Sequence, residues 1–108
     1  MADLTLVVLR CRDLELSRSF YEALGLTFAP EKHGSGPEHY STRLAQTVLE
    51  LYPAAEPATP MRIGLRVDNF QHVLVALASS VMRENTDTSP QSALLRDPDG
   101  NKVEITAS

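Results

Sequence analysis

The chain has 108 residues, 43% of them apolar and 22% charged, which suits one compact domain with one core and excludes disordered and collagen-like classes. Its formal net charge of −4 argues against a nucleic-acid backbone or an anionic membrane surface as the main partner. Cys11 is the only cysteine, so no intrachain disulfide is available, and a cytoplasmic setting that keeps thiols reduced is expected. Met1–Cys11 carries Asp3 and no basic stretch, so it does not read as a signal peptide. No apolar window approaches the roughly 18 residues of a membrane-spanning helix.

LTLVVLRC, residues 4–11, is short and rich in Val and Leu, which predicts a strand. Asp13 then serves as an N-cap, Leu16, Phe20 and Leu24 recur at four-residue steps, and Gly25 supplies a left-handed stop, which predicts a helix near 14–24. A short strand is expected at 26–29, followed by a reversal in KHGSGPE at 32–38 and two strands at 39–45 and 46–52. PAAEPATP, 53–60, is an extended linker, because its three prolines fit neither a helix interior nor a central strand.

After the linker, MRIGLRV at 61–67 predicts a strand. Asp68 and Gln71 match a capping box, and Phe70, Val73, Leu74, Leu77 and Val81 share one helical face, which predicts the stronger of the two helices. SALLRDPDGNKVEIT, 92–106, reads as two strands joined by the turn Asp97-Pro98-Asp99-Gly100.

Each half thus reads as strand, helix and further strands, and the halves echo each other. Leu9-Arg10 recurs 56 residues later as Leu65-Arg66, and Leu49-Glu50-Leu51 recurs in kind 54 residues later as Val103-Glu104-Ile105. Alternation along the strands separates two faces. Val7, Leu9, Cys11, Leu49, Leu51, Ile63, Leu65, Val67, Val103 and Ile105 form a core face beneath the helices. Leu6, Val8, Arg10, Val48, Glu50, Tyr52, Arg62, Gly64, Arg66, Lys102, Glu104 and Thr106 form a mixed face. A one-sided antiparallel sheet often leaves such a face to solvent. Yet Glu50 and Glu104 stand between apolar neighbours at equivalent points of the repeat, and convergent carboxylates can bind a metal, move a proton or pair with a base.

With these residues in place, the chain resembles the vicinal oxygen chelate superfamily, which includes glyoxalase I, bleomycin-resistance proteins, fosfomycin-resistance enzymes and extradiol dioxygenases. The resemblance covers the whole chain and rests on LRCRDLELSRSFYEALGL at 9–26, TVLELY at 47–52, RIGLRVDNF at 62–70 and LLRDPDGNKVEI at 94–105. It implies an α+β fold of two βαβββ modules, residues 1–53 and 61–108, forming a single domain whose sheets curl around a shared cup. It also implies four inward positions for metal ligands, which fall here on Leu6, Glu50, Arg62 and Glu104. Only the glutamates match. Leu6 has no donor, and Arg62 brings a permanent positive charge. Arg62 is therefore expected to replace the metal as counter-ion, forking toward Glu50, Glu104 or both. The expectation is no cofactor, with a divalent metal disfavoured, as in the metal-free bleomycin-resistance type.

Other residues carry less. His33, His39 and His72 show no mutual ligand spacing and are read as solvent-exposed or ordinarily hydrogen-bonded. Cys11 lies on the core face and reads as an inert thiol. Phe20 and Tyr21 are expected to pack, Tyr40, Arg43 and Tyr52 are candidates to line the cup, and Asp97 and Asp99 are explained as turn residues.

Two functional readings follow. In the first, the protein binds a small molecule through Leu6, Val8, Arg10, Glu50, Tyr52, Arg62, Arg66 and Glu104 without catalysis, in the manner of antibiotic-resistance proteins of this type. The overall acidity suits a cationic drug, whereas Arg10, Arg62, Arg66 and Lys102 favour an anionic or mixed ligand. In the second, a glyoxalase-like lyase or isomerase uses Glu50 or Glu104 as general base or metal ligand. By resemblance the chain is a homodimer whose modules pair within or between chains.

Overall fold

A computed structural model describes residues 1–108. Strand β1 (Leu6–Cys11) leads into helix α1 (Leu14–Ala23), then β2 (Ala29–Glu31), β3 (His39–Leu44) and β4 (Thr47–Pro53). Past the linker come β5 (Arg62–Val67), helix α2 (Phe70–Ala76), a single 3-10 turn at Ala78–Ser80, and β6 (Val81–Asn85), β7 (Ser92–Arg96) and β8 (Lys102–Ala107). Two separate four-stranded sheets result, ordered β1-β4-β3-β2 and β5-β8-β7-β6. In each, the first strand pairs in parallel with the last and the other pairs are antiparallel. These are the two βαβββ modules of an α+β fold, with the repeat expressed as matching topology.

Helix α1 has the ends its sequence specifies. The Asp13 carboxylate accepts the backbone N–H groups of Glu15 and Leu16, both at 3.1 Å, satisfying donors that the first turn leaves open. At the other end Gly25 adopts φ +104°. Its N–H reaches Glu22 O at 2.9 Å while that of Leu26 reaches Tyr21 O at 3.3 Å, the paired bonds of a Schellman stop. Leu26 to Phe28 then carry the chain back to the sheet, and Phe28 is buried. The expected strand at 26–29 accordingly forms later, at Ala29–Glu31.

Helix α2 departs from expectation. It spans seven residues, its Asn69 N-cap sits at φ 54° with no side-chain cap bond, and Asp68 instead accepts the Ser108 hydroxyl at 2.9 Å. The capping box is therefore not made. Ala78, Ser79 and Ser80 tighten into the 3-10 turn, which removes Leu77 and Val81 from the helix, and Val81 opens β6. The residue pattern does not mark that strand, because its VMREN segment is mostly exposed and carries no apolar alternation, although the implied βαβββ order requires a strand there.

The core face holds. Leu9, Cys11, Leu49, Leu51, Val67, Val103 and Ile105 join Phe20, Tyr21, Leu24, Phe70 and Val73 in one cluster of 16 buried residues drawn from both modules. Each large side chain buried there contributes about 1.5–3 kcal/mol relative to exposure. Leu16 is the exception on α1, being 58% exposed. A polar joint also crosses the modules. The Tyr21 hydroxyl donates to Asp97 Oδ2 at 2.6 Å, Ser17 Oγ donates to Asp99 Oδ2 at 3.2 Å, and the Arg12 N–H donates to Asp99 Oδ1 at 3.0 Å.

Candidate functional site

Register places the first module's mixed face. Val8 stands opposite Glu50 and Arg10 opposite Tyr52 across β1 and β4, while Ser41 of β3 stands opposite Glu50 on the other side. The Glu50 side chain, 16% exposed, thus sits between Val8 and Ser41. The next rung is aromatic: the Arg10 guanidinium lies 5.4 Å from the Tyr52 ring centroid, and Tyr52 stacks on His39 with centroids 4.1 Å apart. A cation, a phenol and an imidazole therefore line up across β1, β4 and β3, with Arg10 exposed, Tyr52 partly exposed and His39 buried. Leu6 lies at the edge of the same face, half exposed.

In the second module Arg62 pairs with Lys102, Gly64 with Glu104 and Arg66 with Thr106. Arg62 Nη2 donates to Glu104 Oε2 at 2.9 Å, with both side chains about half exposed. Gly64 leaves an open notch between Arg62 and Arg66. A small cavity of about 120 Å³ beside Glu104 is lined by Arg83, Asn85, Ser92 and Leu94.

Arg62 forks toward one glutamate only. Glu50 has a different neighbour, with its Oε2 lying 3.6 Å from His39 Nε2. No principal cavity of the chain contains both Glu50 and Glu104. An apolar cleft of about 480 Å³ instead runs between the modules on the helix-facing side, through Leu4, Val7, Leu49, Met61, Ile63 and Leu65, with Arg62 at its rim. The four inward positions do not fit a resident metal. Leu6 supplies no donor atom, and the Arg62 guanidinium already neutralises Glu104 and would repel a second cation.

Several other expectations are sharpened. Arg43 pairs with Val48 and shares the mixed face, but Tyr40 pairs with Leu51 and lies on the helix side, where its hydroxyl donates to Glu15 Oε1 at 2.6 Å. Tyr40 is thus no cup residue. That bond and the Arg18 guanidinium hold the Glu15 carboxyl below its ordinary value, and the carboxylate in turn raises the Tyr40 phenol. Cys11 is 2% exposed, and burial pushes its thiol up to about 11. Asp97 accepts the Asp99 and Asn101 N–H groups and the Asn101 amide as well as Tyr21, so it is engaged by the turn and by α1 together. Burial, together with the neighbouring Asp97 carboxylate, raises the Tyr21 phenol strongly.

The histidines require correction. His72 is exposed, as expected, but His39 is 2% exposed and lies beside His33, with ring centroids 5.2 Å apart. The signal was available in HYSTRL: Tyr40, Thr42 and Leu44 alternate onto the helix side, so His39, Ser41 and Arg43 must share the face of Glu50.

Comparison with known proteins agrees with this architecture. The sequence profile of the Glyoxalase/Bleomycin resistance protein/Dioxygenase superfamily matches residues 4–105, and the chain belongs to that family. No curated protein sequence matches the chain. Among solved structures it is similar to the oxidase ChaP-H2, with a TM-score of 0.79 at 17% identity over 99% of this chain and 94% of that one. It is also similar to a lactoylglutathione lyase from Agrobacterium tumefaciens, with a TM-score of 0.71 at 18% identity over 100% and 95% of the two chains. TioX from Micromonospora sp. ML1 gives a TM-score of 0.70 at 14% identity over 98% of each. These likenesses concern the fold.

Proposed function

We propose that the protein binds a small organic molecule on the mixed faces of its sheets, with Arg62 in place of a metal at the four inward positions. The 2.9 Å contact between Arg62 and Glu104 carries this reading, since a guanidinium beside Glu104 can take the counter-ion role that the resemblance gives to a metal. Arg10, Arg66 and Lys102 lie on the same faces and favour an anionic or mixed ligand. The exposed Arg10 beside the partly exposed Tyr52 favours an aromatic group within it.

The test is calorimetry and thermal shift with aromatic carboxylates and, separately, cationic glycopeptides, in the presence of a chelator. Aromatic carboxylates are expected to bind with the chelator present and to weaken roughly 10- to 100-fold in Arg62→Ala, the range of a charge-assisted hydrogen bond. Binding of cationic glycopeptides alone, or binding that appears only with added divalent cation and survives Arg62→Ala, sinks the proposal.

We further propose that two copies associate, so that the Glu50 sheet of one chain faces the Glu104 sheet of the other. That no principal cavity is lined by both glutamates, and the exposure of Leu6 at the edge of the mixed face, support this. Sedimentation at micromolar concentration is expected to give the dimer mass, and a monomer there contradicts it. The cytoplasmic setting belongs to the same proposal. The structure itself shows no helix long and apolar enough to cross a membrane.

A further inference from the structure

We propose that Glu31, His33 and His39 form a three-residue binding site for a divalent cation of the zinc class, with the Glu50 carboxylate beside His39. This site is built from first-module residues alone and does not rest on the ligand-binding reading.

The argument begins with an orphaned atom. His39 Nδ1 lies 3.2 Å from Pro37 O, and a carbonyl only accepts, so that nitrogen carries the proton. Nε2 then points the other way, buried and without a hydrogen-bond partner, in a side chain 1% exposed. Buried polar atoms are nearly always satisfied, and an exception calls for a missing partner.

The surroundings of Nε2 specify that partner. Glu31 Oε1 is 3.4 Å away and Glu50 Oε2 is 3.6 Å away, while His33 Nε2 lies 3.8 Å from the same Glu31 oxygen. One donor atom from each of Glu31, His33 and His39 lies within 4.8 Å of the other two. Donors held about 2.0–2.1 Å from a tetrahedral zinc ion stand roughly 3.3–3.4 Å apart. The Glu31–His39 separation already matches this spacing and the Glu31–His33 separation is slightly longer, so rotation of the exposed His33 side chain closes the three donors on one ion. The two carboxylates near His39 Nε2 make the surroundings of that nitrogen anionic, which favours a cation there.

The fold supplies the rest of a metal site. Glu31 is opposite His39 in the β2–β3 ladder, so two ligands come from paired strands. His33 is carried by the reversal between them, which Gly36 N–H closes onto His33 O at 3.0 Å. The Nδ1 bond to Pro37 O fixes the His39 tautomer and ring, the outer-shell contact typical of ligating histidines. Entry is open through His33, whose side chain is 71% exposed.

Chelator-treated protein is titrated with zinc by calorimetry, and with cobalt(II) by visible absorption as a report of tetrahedral imidazole–carboxylate coordination. One cation per chain is expected, with a melting temperature that rises with free zinc. His33→Ala, at an exposed position that leaves the fold intact, is expected to weaken zinc at least about tenfold, Glu31→Gln to weaken it similarly, and Glu56→Gln, at an exposed linker carboxylate, to change nothing. Absence of zinc heat and cobalt bands in the unmodified protein overturns the site. So does binding that persists in the His33→Ala, Glu31→Gln double variant, or binding lost in Glu56→Gln. These measurements use no organic ligand, whereas the ligand test runs under chelation, so either idea can fail alone.

Discussion

The Tyr21 hydroxyl reaches across from α1 to Asp97 in the β7–β8 turn at 2.6 Å, and Tyr21 is wholly buried. This single bond ties the helix of one module to the hairpin of the other. Tyr21→Phe leaves Asp97 with its remaining donors and is expected to cost about 1.5–3 kcal/mol, the value of a hydrogen bond to a charged group. Asp97→Ala strands the phenol and the turn amides together and is expected to cost about 3 kcal/mol or more. Urea unfolding of both variants measures this. Two variants within about 0.5 kcal/mol of the parent would show that the joint contributes no stability.

Cys11 offers a chemical probe of the same core. At 2% exposure, with its thiol raised from 9.0 to about 11, it is expected to resist alkylation at pH 8 in the folded protein. Labelling should instead follow the denaturant dependence of global unfolding. Rapid stoichiometric labelling of native protein contradicts the burial.

Acid stability carries a local signature on α1. The carboxyl of Glu15 is held below its ordinary 4.5, first by the Tyr40 hydroxyl and then by Arg18. Its contribution to stability is therefore complete above the unfolded carboxyl value and fades as pH falls through the lower folded value. Tyr40→Phe is expected to return the Glu15 titration toward 4.5 and to flatten the acid limb of the stability curve. Carboxyl titration by NMR follows the first effect, and an unmoved Glu15 resonance would refute it.

The role given to Arg62 predicts a gain of function. Leu6→His with Arg62→His supplies two imidazoles at the inward positions and removes the fixed cation. In a His33→Ala background this pair of changes is expected to create divalent-cation binding that Glu104→Gln abolishes. Cobalt(II) absorption reads it, and silence there argues that the glutamates do not converge in the assembled protein.

Much of the fold was legible in local chemistry. Asp13 and Gly25 mark the ends of α1 because each satisfies a specific backbone group, and the alternation of LTLVVLRC reports which side chains meet the core. The end of α2 was not legible. Leu77 and Val81 continue the helical spacing, yet the chain tightens at Ala78–Ser80 and turns Val81 into a strand, a choice made by packing against β7. Within the site, Glu50 and Glu104 stood out because they interrupt apolar strands, and their echo across the repeat is matched in topology. His39 was obscured because its neighbourhood depends on the register of β2, β3 and β4, where residues distant in sequence meet.

Gly64 faces Glu104 with no side chain of its own, and a Cβ there would come no closer than 3.9 Å to any atom, the carbonyl oxygen of Glu104. The strand therefore tolerates a larger residue at that point without rearrangement. A position that is sterically free, flanked by two arginines and directed at the mixed face is a place where selection can retune which molecules are accepted while the scaffold stays unchanged. Replacing one hydrogen atom there alters the shape of the recognition surface at almost no structural risk, which makes residue 64 a natural dial for diversification among descendants of this chain.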